Sequence, residues 1–85
     1  MAILEIKEGD TVWVLPSEEM GVTQRIKGKV IRISEFNREF PYTVVVDKEL
    51  LPNHNREWDL YGESLQAILK SDEIYKTNFS NNKFM

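Results

Sequence analysis

The sequence predicts an all-β protein: a small, five-stranded, strongly bent barrel with a short helical turn near the C-terminus. Three observations predict it. The chain has 85 residues, enough for one core and therefore a single domain over residues 1–85. Short runs of β-branched, aromatic and large apolar residues alternate with clusters of glycine, proline and asparagine, the pattern of strands and turns. In one run the apolar phase flips partway, as an inserted residue in a strand requires. About five short strands would leave unprotected edges as a flat sheet, and closure removes them. The barrel is expected over about residues 9–70, with a short helix and a frayed tail over 71–85.

Gly9-Asp10 signals a turn, and Thr11-Val12-Trp13-Val14-Leu15 follows as the first strand. Val12 and Val14 share one face, so Trp13 falls on the other with Thr11 and Leu15. Pro16 to Gly21 is a loop. In the second run, Arg25, Lys27 and Lys29 alternate with Ile26, Gly28 and Val30; the apolar positions then shift to Ile31 and Ile33, with Arg32 between them. That shift predicts a β-bulge, and Gly28 is expected to ease a sharp bend. Residues 34–41, with Phe36, Phe40 and Pro41, form a hairpin loop. Tyr42-Thr43-Val44-Val45-Val46-Asp47 is the strongest strand signal, with Tyr42, Val44 and Val46 on one face.

Lys48 to Asn55 holds Pro52, two asparagines and the sole histidine, His54. It is long for a hairpin connection and predicts a loose excursion. Arg56 to Gly62 reads as a fourth strand, with Trp58 and Leu60 on one face. Gly62 to Leu65 reads as a tight turn, and Gln66 to Lys70 as a fifth strand. Ser71 followed by Asp72 and Glu73 predicts an N-capped helix over 72–77, with a frayed polar tail from Asn78.

Composition excludes most catalytic chemistry. There is one histidine and no cysteine, so no disulfide, thiolate metal site or Cys-His pair is available. The four glycines are isolated, which removes a phosphate-cradling loop. No catalytic, metal or cofactor residues are assigned, and the protein is expected not to be an enzyme. Absence of cysteine fits a reducing, cytoplasmic setting. Glu5 and Glu8 interrupt the apolar opening before signal-peptide length, and no stretch approaches a membrane span.

Charge is unevenly placed. The net value is −3, but residues 1–24 carry five acids against Lys7, and residues 39–63 carry six acids against Lys48 and Arg56. Between them, Arg25, Lys27, Lys29, Arg32 and Arg38 face only Glu35. Arg25, Lys27 and Lys29 should project from one strand at steps of roughly 7 Å, a spacing that can track a phosphate backbone. Aromatic residues are more numerous than one small core can bury: Trp13, Phe36, Phe40, Tyr42, Trp58, Tyr61, Tyr75, Phe79 and Phe84. Tyr42 and Trp58 are expected in the core. Large aromatics with arginine are the residue types that anchor protein interfaces.

Gly9-Asp10-Thr11-Val12-Trp13-Val14, Gly28-Lys29-Val30-Ile31-Arg32-Ile33, Tyr42-Thr43-Val44-Val45-Val46-Asp47 and Trp58-Asp59-Leu60-Tyr61-Gly62-Glu63-Ser64-Leu65 occur in that order. The series resembles the small barrels of the Tudor and KOW type, akin to Src-homology barrels, over about residues 9–70. Stand-alone barrels of this size resemble many uncharacterised bacterial and bacteriophage proteins. The resemblance implies a binding module, and in particular a phage accessory protein that modulates a host factor in the host cytoplasm. The expected function is protein binding by a non-enzymatic module, with Trp13, Arg25, Lys27, Lys29, Arg32, Phe36, Phe40 and Tyr61 as candidate partner-binding residues. The alternative is nucleic-acid binding along Arg25, Lys27 and Lys29. Homodimerisation would use the same surface or an unpaired strand edge.

Overall fold

A computed structural model describes residues 5–76. The all-β expectation holds, but six strands form one antiparallel sheet that is not closed into a barrel. They are β1 (Thr11–Val14), β2 (Ile26–Ile33), β3 (Tyr42–Asp47), β4 (Asp59–Tyr61), β5 (Ser64–Leu69) and β6 (Ile74–Tyr75), in the spatial order β4-β5-β3-β2-β1-β6.

One face of the sheet forms the core, because the alternation places Val12 and Val14, Ile26 and Val30, Val44 and Val46, and Leu65, Ala67 and Leu69 inward, joined by Ile74. Two loops supply the wall that strand pairing does not. Met20 and Val22 come from the β1–β2 connection, and Leu51 and Trp58 from the β3–β4 connection, all buried. Ile6, Ile33 and Tyr42 pack at the margin.

The predicted bulge is present: the β2–β3 register runs Val30↔Val44 and then Arg32↔Thr43, leaving Ile31 as the extra residue. Gly28 also has a packing role. A Cβ there would lie 2.6 Å from Val44 Cγ1, so the glycine permits close packing of the core face, while the bulge at Ile31 breaks the register.

Three boundaries differ from expectation. The fourth strand is only Asp59–Tyr61, with Trp58 turned into the core ahead of it and Leu60 65% exposed. The fifth begins at Ser64, because Gly62 with φ +62° and Glu63 alone make the two-residue turn between Tyr61 and Ser64; a positive φ at the first turn position is the type II′ requirement. The helix predicted for 72–77 is a single 3-10 turn, Ser71–Glu73, where the Lys70 N–H donates to the Glu73 carboxylate at 2.8 Å. Burying Ile74 against β1 draws the following residues into β6, paired Val14↔Ile74 and Trp13↔Tyr75. The frayed tail expected from residue 78, with Phe79 and Phe84, lies outside the described residues, as does residue 77.

The 48–58 connection is fastened at three points. Asp47 accepts from the Glu49 N–H to start a 3-10 turn over Lys48–Leu50, Leu51 is buried, and the Asn55 side chain donates to the Glu19 carbonyl at 2.8 Å.

Residues near both ends of the described chain are tied at Asp10. Its carboxylate accepts from the Lys7 N–H at 2.7 Å and pairs with Lys76 Nζ at 2.9 Å. The Lys76 hydrogen bond, then the Lys7 N–H, holds the Asp10 carboxyl below its ordinary value of 3.8. A lowered folded-state pKa gives stability that is present above the unfolded value and lost as pH falls through the folded one. Asp10→Asn is therefore expected to lower the thermal midpoint by a few degrees at pH 7, about 1 kcal/mol or less for a partly exposed pair. In a pH series of melting curves the gap to wild type should close as pH drops below 3.8; a constant gap would refute the assignment.

Candidate binding face

The face turned away from the core carries every candidate cation. Arg25, Lys27, Lys29 and Arg32 are all exposed. The bulge accounts for the fourth. By strict alternation Arg32 would share the inward face with Ile26, Gly28 and Val30, but the extra residue at Ile31 resets the phase. Arg32 then pairs with Thr43, two residues before Val45, the partner of Lys29. Lys27, Lys29 and Arg32 thus occupy successive outward positions along β2, and Arg25, the residue just before the strand, extends the row.

At one end of this row the pairing sets Tyr75, Trp13 and Lys27 abreast across β6, β1 and β2. The Arg25 guanidinium lies over the Trp13 ring, 4.4 Å from its centroid, and Lys27 Nζ sits 5.7 Å from the same ring. Arg25 also donates from Nη1 to the Tyr75 hydroxyl at 2.7 Å. These contacts explain why Trp13, on the solvent side of the sheet, is half-buried: cations cover its face. Trp13 is a platform that orders Arg25. Tyr75 was not among the candidates, and its part depends on a strand contact fifty residues from Arg25 in the chain.

A shallow groove brings Arg32 and Tyr61 together with Ile31, Thr43, Asp59 and Ile68. Tyr61 and Ile68 are 51% and 50% exposed. Ile68 also escaped the candidate set, although alternation with the inward Leu65, Ala67 and Leu69 was a signal that could have found it. Beyond this groove the 34–41 loop presents Phe36, which is 95% exposed. That loop is braced: Ser34 Oγ accepts from the Phe36 and Asn37 N–H groups, Asn37 Oδ1 accepts from the Phe40 N–H, and the Ser34 N–H donates to the Pro41 carbonyl. Phe40 is half-buried, with Lys70 Nζ 5.5 Å from its ring centroid.

Among the described residues, no three of His, Asp and Glu converge closely enough to hold a metal ion. His54 lies with its Nδ1 3.3 Å from the Leu51 carbonyl. Among the same residues, no helix is long and apolar enough to cross a membrane. Comparison with protein-family models, with curated proteins and with solved structures found no match.

Proposed function

We propose that this chain is a non-enzymatic interaction module that binds a protein partner through the outward face of its sheet and the 34–41 loop. The observation that carries the reading is Phe36, 95% exposed on a loop held by four hydrogen bonds. Exposing a large apolar side chain has no folding benefit, and holding the backbone beneath it lowers the entropy cost of docking. Tyr61 and Ile68 extend the apolar surface, with Arg32 beside them, the mixture found at interface centres.

The motif order supports reading the chain as akin to the small barrels of Tudor and KOW type, here with an open sheet. A phage accessory role on a host factor in the cytoplasm follows from that likeness. The absence of cysteine is compatible with a reducing compartment.

The test is affinity capture from a host lysate with and without nuclease, repeated with Phe36→Ala and with Tyr61→Ser plus Ile68→Ser. Partners are expected to survive nuclease. Each variant should weaken a captured partner by about 10-fold to 100-fold, with the thermal midpoint within a few degrees of wild type. Loss of every partner on nuclease treatment would instead favour the second reading, nucleic-acid binding. That alternative is supported by the outward row of Arg25, Lys27 and Lys29, and its signature would be steep weakening with salt.

A further inference from the structure

We propose that the outward row on β2 receives an acidic, extended segment of the protein partner, with carboxylates at alternate positions seated on Arg25, Lys27, Lys29 and Arg32. The proposal rests on the protein-binding reading and gives it a ligand chemistry.

Its first support is register. Outward positions on a strand recur at roughly 7 Å, and side chains on one side of an extended peptide recur at the same spacing. The bulge at Ile31 lengthens the row from three cations to four by turning Arg32 outward. Its second support is unsatisfied charge. Among the described residues, Arg25, Lys29 and Arg32 have no carboxylate within ion-pair distance. Its third support is order: Arg25 is held over Trp13 and anchored by Tyr75. A guanidinium has five N–H donors in a fixed fork, so one bond to Tyr75 leaves donors for a carboxylate at reduced entropy cost.

The surroundings favour a short acidic peptide over a nucleic acid. At the Arg32 end the row stops at the Glu8 carboxylate, which accepts from the Ile33 N–H at 3.1 Å, and Glu35 and Glu39 follow in the chain. A polymer with a charge on every unit would run into these acids, whereas a segment of four carboxylates stops at Arg32, where Glu57 and Asp59 line the same groove. The Trp13 face that could stack a base is covered by Arg25.

Fluorescence anisotropy on the full chain tests this with three probes. They are an eight-residue peptide with glutamate at alternate positions, its isomer with the four glutamates consecutive, and a mixed-sequence single-stranded DNA octamer. The alternating peptide is expected to bind with Kd on the order of 100 µM at 50 mM salt, several-fold tighter than the isomer. Lys29→Glu and Arg32→Glu should each weaken it about tenfold, while Lys48→Glu, an equal charge change outside the row, should leave it within about twofold. Melting curves of each variant establish that it is folded. Absence of binding at 1 mM by folded protein, equal binding of the isomer, or tighter binding of the DNA would each overturn the proposal. Partners captured through Phe36 and Ile68 in the presence of nuclease would then still stand, so this failure is distinguishable from failure of the protein-binding reading.

Discussion

Trp58→Ala is expected to leave the chain largely unfolded at 37 °C. The indole is 3% exposed, and its Nε1–H donates to the Met20 carbonyl at 2.7 Å. That one side chain therefore fills the core and fastens the 48–58 connection to the β1–β2 connection. Truncating a buried tryptophan costs about 3 to 5 kcal/mol, and a core of this size supplies roughly 3 to 5 kcal/mol in total. The loss is comparable to the whole. Trp58→Phe separates the two contributions: it keeps most of the apolar volume and leaves the Met20 carbonyl unpaired, at a cost of about 1 to 3 kcal/mol. At about 4 to 8 °C per kcal/mol for a domain of this length, circular dichroism should show a cooperative but lowered transition for Trp58→Phe and no transition above room temperature for Trp58→Ala. A Trp58→Ala protein melting within a few degrees of wild type would show that the loops do not close the core.

Gly28→Ala is expected to destabilise by about 1 to 3 kcal/mol, although alanine is the smallest addition available. The new Cβ would stand 2.6 Å from Val44 Cγ1, 3.1 Å from Val46 Cγ1 and 3.2 Å from the Val45 carbonyl oxygen. Valine has few χ1 alternatives, and Val44 and Val46 are fully buried, so neither can swing aside cheaply. The lower entropy of alanine in the unfolded chain offsets only about 0.4 to 1 kcal/mol. A double-mutant cycle isolates the cause. Gly28→Ala should cost clearly less in a Val44→Ala background, because the closest clashing atom is gone. An undiminished cost would place the penalty in the strand backbone instead.

The outward face shows how far local pattern reaches. Alternation alone put Trp13 opposite Val12 and Val14, and put Arg25, Lys27 and Lys29 together; the phase change after Val30 announced the bulge that the register confirms. The same logic could have turned Ile68 outward. It could not show that Arg25 and Tyr75 meet over Trp13, since that meeting needs β6 beside β1. Nor could it separate Phe36 from Phe40. Both sit in one polar loop, and their difference in exposure comes from how Ser34 and Asn37 fold that loop.

By itself the sequence determined the all-β class, the inward sets on β1 and β3, the bulge in β2 and the basic strip, because each follows from a two-residue period along the backbone. Only the tertiary structure decided that the described residues form six strands, that Ile74 and Tyr75 pair with β1 instead of coiling into a helix, and that the sheet they form stays unclosed. The reason is physical: which segments become neighbours depends on what is left to bury. Here Met20, Val22, Leu51 and Trp58 cover the core from the loops, so burial is completed without a barrel, and the opposite face keeps its cations and aromatics turned outward.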